Sequence, residues 1–291
     1  MKNIKYFIEA IFVFSCFLII RILGLTISRT FFSCVFNKIG PYFKSNKITY
    51  SNLRRVFPKN SEAQNKEIVR KMWSNYGMTF VEYIFLNKFR NKNIKNTYTR
   101  IKGLEILDNL KKKNKPLIFV SGHFANFEMM SMELTKANVK LATIYRPLNN
   151  FFINPFMEYL RKKYICKNQI KKGVSGIRDA ISFINKDCNI ALMVDQRVSE
   201  GKKISFFNED AYTTTLPSQL ALKYNCEIVP IYISRNENHN FDIEILEPIS
   251  ITSKENSDKN KIQISLSINR VLEKMILRNP SQWIWTHNRW K

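Results

Sequence analysis

A chain of 291 residues with 45% hydrophobic content is long enough to bury one large core or two small ones. Its net charge of +24 suits an anionic membrane or an acidic protein; nucleic acid is not expected, because the lysines form only short runs such as 111–113 and no nucleic-acid motif accompanies them. Five dispersed cysteines without a C-x-x-C pair argue against a disulfide scaffold or a thiolate metal site, and for reduced thiols facing a cytosol.

The first element is the apolar run over residues 4–27, "IKYFIEAIFVFSCFLIIRILGLTI". As a helix it would be about 36 Å long, against roughly 30 Å of bilayer hydrocarbon. Lys5, Glu9 and Arg21 interrupt it. The lysine and arginine can snorkel to headgroups, whereas Glu9 is harder to place. The run is too long for a signal peptide and lacks a small-residue cleavage site. It reads as a membrane anchor over 1–30, either spanning or lying in the interface, with spanning favoured. Arg21, Arg29, Lys38, Lys44 and Lys47 outweigh Lys2 and Lys5, which puts the body on the cytoplasmic side.

A helical, membrane-associated segment is expected over 31–97. Ser61 opens its main helix, with Gln64 three residues on as in a capping box. Ile68, Met72, Trp73, Tyr76, Phe80 and Ile84 then recur at helical spacing, as core or membrane-facing surface. From 98 to 291 the pattern alternates. Strands are predicted at "LIFVSG", "KLATIY", "IALMV", "EIVPIYI" and "FDIEIL". Helices are predicted over 126–137, 155–164, 176–185, 216–224 and 262–277. Short Ile/Val-rich runs separated by helices imply an α/β fold: a mostly parallel central sheet flanked by helices, behind an N-terminal anchor helix. In such sheets sites lie beyond the carboxyl ends of strands, and His123 and Asp195 both sit there.

The stretch "VSGHFANFE" carries the chemistry. On one continuous helix, His123 and Glu128 would diverge by about 140°. They converge only if His123 lies in a turn, which Gly122 permits, and Glu128 in the first turns of the following helix. A carboxylate on one imidazole nitrogen fixes the tautomer, so the other nitrogen can take a proton from a hydroxyl. The nearby helix N-terminus offers N–H groups to developing negative charge. No H-E-x-x-H motif is present, and the chain has only two further histidines, so no metal is expected. No serine stands in a G-x-S-x-G setting, which makes direct transfer simpler than a covalent enzyme intermediate.

The stretch is followed in order by "IYRPLNN", "LMVDQRVSEGKKISFF", "TTTLPSQLALKYNCEIVPIYI" and "NPSQWIWTHNRWK", and is preceded by "SNLRRVFP" and "KGLEIL". In this order the blocks resemble the glycerolipid acyltransferases and, more narrowly, the bacterial lipid A late acyltransferases. "SGHFANFE" matches that family's H-x4-D/E motif in its glutamate form. The lysine-bearing loop after Asp195 departs from the family pattern. The resemblance implies transfer of an acyl chain from acyl carrier protein to a hydroxyl of a Kdo-bearing lipid A precursor, without a cofactor, at the cytoplasmic side of a bacterial inner membrane.

The roles expected on this reading are His123 as general base, with Glu128 orienting it and stabilising the imidazolium. Arg146, after a strand, would bind a lipid phosphate or polarise the thioester, or else make a structural ion pair. Asp195, Gln196 and Arg197 would position the acceptor, with a structural Asp195–Arg146 pair as the alternative. Asn126 is a helix cap first and an active-site donor second. His287 belongs to packing or surface; Trp283, Trp285 and Trp290 close the core or sit at the membrane interface. The rival readings are an acyltransferase of another membrane acceptor, such as a lysophospholipid or glycolipid, and a non-catalytic membrane adaptor.

Overall fold

The computed structural model describes residues 2–43, 46–91 and 98–291. Lys44, used above in the charge count, and part of the 31–97 segment lie outside the described residues. The chain begins with four helices, α1 (Lys2–Leu23), α2 (Leu25–Phe43), α3 (Asn46–Val56) and α4 (Glu62–Glu82), followed by a 3-10 turn and the short α5 (Leu86–Arg90). The capping box forms as expected: Gln64 N donates to Ser61 Oγ at 3.2 Å, and Ser61 N to Gln64 Oε1 at 2.7 Å. Residue 30, the expected end of the anchor, falls inside α2. That helix packs tightly on α4 because Gly77 has no Cβ; one there would collide with the backbone carbonyl of Phe32.

The remainder runs β1 (Thr99–Lys102), α6 (Leu104–Lys112), β2 (Leu117–Ser121), α7 (Glu128–Lys136), β3 (Leu141–Tyr145), α8 (Asn154–Leu160), β4 (Asn168–Lys171), α9 (Val174–Ile184) and β5 (Asn189–Met193). Then come β6 (Lys202–Phe206), β7 (Glu209–Thr213), α10 (Leu216–Tyr224), β8 (Glu227–Arg235), β9 (Phe241–Ile245) and α11 (Asp258–Arg278). Seven strands form one sheet in the order β1-β9-β8-β2-β5-β3-β4. Every pairing in it is parallel except β8 with β9. This is the expected mostly parallel α/β sheet.

Helices cover both faces, so the central strands are buried on both sides. In β2, Leu117 and Phe119 enter one core with α1, α6, α7 and α8, while Ile118 and Val120 enter the other with α4, α9, α10 and α11. That alternation is the two-residue period of a strand. Burying a side chain such as Phe119, at 0% exposure, contributes on the order of 1.5–3 kcal/mol.

Four strands were not anticipated. β1 and β4 are edge strands; "TRIK" alternates half-buried with exposed, and "NQIK" buries only Ile170. Edge strands carry polar residues because one side has no partner, and this hides them from an apolar-run reading. β6 and β7 form a separate antiparallel hairpin. Its turn residues Phe207 and Asn208 have φ of 53° and 61°, the geometry of a tight hairpin turn. The loop that departs from the family pattern is therefore the first arm of this hairpin.

Candidate active site

β2 sits at the middle of the sheet, and its carboxyl end delivers "GHFANFE" to the surface where β3, β4 and β5 also end. His123 stands in the turn between β2 and α7, as expected. Its partner is not the expected one. Nδ1 lies 2.8 Å from Asp195 Oδ1, at the end of neighbouring β5, and the His123 backbone N–H donates to Asp195 Oδ2 at 2.8 Å. Trp283 Nε1 donates to the same Oδ2 at 2.8 Å. A Cβ on Gly122 would come within 2.7 Å of the Phe124 ring and 3.2 Å of Asp195 Oδ2, so glycine leaves the carboxylate room to meet the turn.

Asp195 is 1% exposed. Burial by itself raises its pKa, but the imidazole charge of His123 and the three hydrogen bonds outweigh it and hold the carboxyl below the usual range. The alternative Asp195–Arg146 pair does not form: Arg146 is exposed, with Asn149 Oδ1 at 3.5 Å as its contact. With the Nδ1 proton on the Asp195 side, Nε2 carries the lone pair. The His123 side chain is 20% exposed. Beside it lies a cavity of about 30 Å³ lined by Asn75, Tyr76, Thr79, Phe127 and the 282–284 segment. That is room for at least one water.

Glu128 faces the other way. It accepts from Arg161 Nε at 2.7 Å and from Tyr83 Oη at 2.8 Å, inside the protein. Burial would lower the Arg161 pKa, but Glu128 more than reverses this and raises it. The expected His123–Glu128 contact is replaced because the turn at 124–127 is not a smooth helical entry. Ala125 has φ of 45°, and α7 begins only at Glu128.

The turn is held from behind by α4. Asn75 Nδ2 and Thr79 Oγ1 donate to the Ala125 carbonyl at 3.3 and 3.2 Å. Asn126 Nδ2 donates to Glu82 at 2.9 Å, and Asn126 Oδ1 accepts from Glu128 N at 3.3 Å. Asn126 is 1% exposed, so its side chain is buried between Glu82 and the first residue of α7. Glu82 also accepts from Arg29 at 2.9 Å and from Arg235. Burial acts to raise its pKa, but these two guanidiniums prevail and lower it. At the α7 N-terminus the N–H groups of Glu128, Met129 and Met130 are taken up by Asn126 and Phe127.

Asn75, Thr79 and Glu82 stand at i, i+4 and i+7 on α4. This polar stripe beside the aromatic one was the overlooked signal for the network. Arg161 and Tyr83 gave none, because only the tertiary fold brings them to Glu128. Trp283 and Trp285, at 2% and 0% exposure, close the core. His287 Nε2 accepts from Arg197 N at 2.8 Å, and burial pushes its pKa down to about 4.

Around the mouth, each of three strands ends in a cation. Arg146 follows β3, Lys172 follows β4 and Arg197 follows β5. Lys172 N donates to Tyr145 O at 2.8 Å, which sets it level with Arg146. Its amine is depressed by burial and by that neighbouring charge. Arg197 lies over the Tyr212 ring, at 5.6 Å from its centroid, and its Nε is buried with no partner among the described residues. Gln196 is half-buried next to Asp195. The arrangement joins a poised imidazole to a rim that suits a phosphate or other anionic group.

A family model described as bacterial lipid A biosynthesis acyltransferase matches residues 1–291. The chain is 22% identical to the lipid A biosynthesis palmitoleoyltransferase of Escherichia coli K12, over 86% of this chain and 80% of that protein. It is 23% identical to lipid A biosynthesis acyltransferase 2 of Shigella flexneri, over 97% and 90%. It is 22% identical to the lipid A biosynthesis lauroyltransferase of Escherichia coli K12, over 84% and 78%.

Proposed function

Because the chain belongs to the bacterial lipid A biosynthesis acyltransferase family, we propose that it moves a fatty acyl chain from the thioester of acyl carrier protein to a hydroxyl of a Kdo-bearing lipid A precursor. Acyl transfer in lipid A biosynthesis is the family's activity; the donor, the precursor and the roles below are our reading. The observation that carries it is the His123–Asp195 pair at the strand ends, with Nε2 free of any protein partner among the described residues.

In this mechanism His123 Nε2 takes the acceptor hydroxyl proton as the oxygen attacks the thioester carbon. Asp195 holds the tautomer and stabilises the imidazolium. The tetrahedral intermediate collapses, the carbon–sulfur bond breaks, and the imidazolium returns its proton to the leaving thiolate. No covalent enzyme intermediate is needed. Arg146, with Gln196 and Arg197, holds the phosphorylated acceptor. Glu128 enters as a positioning residue: with Arg161 it fixes the first turn of α7 and hence the turn that carries His123. Residues 98–291 carry the chemistry, and residues 1–97 hold it at the cytoplasmic face of the inner membrane. The +24 charge suits both an acidic carrier protein and a phosphorylated lipid.

The test is acyl transfer by the membrane-embedded enzyme with acyl carrier protein or coenzyme A thioesters, on lipid A precursors with and without Kdo. The expected result is turnover that requires the carrier protein and Kdo. Equal turnover with a lysophospholipid acceptor would point instead to a different membrane acceptor, and none with any acceptor would overturn the reading.

A further inference from the structure

α1 is apolar enough to cross a membrane, with mean hydropathy 2.2 over its best window and 17% of that window buried. Its two sides differ. Ile4, Ile8, Ile11, Leu18 and Ile22 lie on one face, and each is more than half exposed. The opposite face is docked on the protein. Near its start, Asn150 Nδ2 donates to Tyr6 O at 2.8 Å and to Glu9 at 3.3 Å, and at the edge of that face the half-exposed Phe7 meets the Phe152 ring edge-on at 5.5 Å. Further along, Phe17 stacks on Phe80 at 5.0 Å and contacts Phe156 at 5.7 Å, and Ile20 is fully buried.

The body therefore covers α1 from Tyr6 to Ile20, about 21 Å of its axis. A helix that crossed the bilayer would carry this covering into roughly 30 Å of hydrocarbon. The segment that covers it continues into Glu158, Arg161, Lys162 and Lys163, which that region does not accommodate. The charges on α1 agree. Glu9 lies on the docked side, and Lys5, 3.9 Å from it, lies beside that face. The face opposite the body carries no charge along its centre.

We propose that α1 lies along one leaflet, clamped between the lipid and the catalytic body, and does not cross the membrane. The occupant of its exposed face is the hydrocarbon of a single leaflet. Phe151, half exposed, continues that surface from the loop that follows Arg146. The bilayer thus meets the end of the sheet where His123 sits, and an acceptor lipid reaches it by lateral diffusion. The charge bias around residues 2–47 then acts through attraction to anionic headgroups, since orientation by flanking charge applies to helices that cross.

The inference rests on α1 being the membrane anchor, and the experiment separates the two. Full-length enzyme with Cys16→Ser and Cys34→Ser receives Asn3→Cys, at the start of α1, or Lys259→Cys, on exposed α11. Sealed vesicles of either orientation are treated with a charged, impermeant maleimide after a sodium carbonate wash. The expected result is that both positions label from the same side and that the protein resists the wash. Labelling from opposite sides would overturn the proposal while leaving the anchor reading intact. Release by carbonate would overturn both. A fluorophore attached at Ile11→Cys should be quenched by spin-labelled acyl chains in the bilayer; no quenching, with cross-linking between chains through this cysteine, would assign the face to a second copy instead.

Discussion

Two carboxylates flank the same turn and do opposite work. Asp195 accepts three hydrogen bonds and leaves the far nitrogen of His123 open to the surface. Glu128, five residues after that histidine, is closed off by Arg161 and Tyr83. In the mechanism we propose, one pair prepares a proton acceptor; the other is a buried ion pair at a helix start. Adjacency in sequence does not decide which is which. The carboxylate that meets the imidazole comes from the neighbouring parallel strand, because adjacent strand ends lie about 4.8 Å apart whereas the Ala125 turn swings Glu128 inward.

The sharpest way to break this comparison is to remove one partner of each pair. His123→Ala should lower turnover by about 10² to 10⁴ with the fold intact. Asp195→Asn should cost a comparable factor, since an amide favours the wrong tautomer. The double variant should be little worse than the worse single one, because groups acting as a unit are not additive. Turnover of acyl donor, with circular dichroism as the folding control, measures all three. A double loss equal to the product of two large single losses would separate His123 from Asp195.

Glu128→Gln acts on stability first. It leaves the Arg161 guanidinium, 10% exposed, without its counter-charge, a change that typically costs about 3–5 kcal/mol. Thermal unfolding in detergent should show this loss, and adding Arg161→Met should recover part of it along with activity. If Glu128→Gln keeps wild-type stability yet loses turnover as heavily as His123→Ala, the glutamate works in the chemistry and the contrast collapses.

The smallest effect concerns His287. Its pKa is held at about 4 by burial, against about 6.5 for an unperturbed histidine. Between those values the unfolded chain binds a proton that the folded chain refuses, so stability falls as pH drops from about 6.5 toward 4. His287→Gln keeps an acceptor for the Arg197 N–H and removes the titration. Its melting temperature should therefore decline less over that window than that of the wild type. Parallel declines would assign the acid sensitivity elsewhere.

Much of the molecule was legible in the chain itself. The apolar N-terminal run, the capping box at Ser61, the helix over 216–224 and the buried strands of the parallel sheet all follow from local period and composition, which depend on residues close in sequence. His123 at a strand end was legible for the same reason, since "LIFVSG" marks where β2 stops. Local pattern did not reach the edge strands β1 and β4, whose polar residues mirror their one-sided pairing. It did not reach the partner of His123 either, or the Arg29–Glu82–Arg235 cluster behind the turn. Those contacts join residues 72, 53 and 153 positions apart, and only strand order and the packing of α2 and α4 bring them together. Length and hydropathy favour an α1 that crosses the bilayer; our proposal that it lies along one leaflet rests instead on the side chains of Asn150, Phe152 and Phe156, which meet one of its faces.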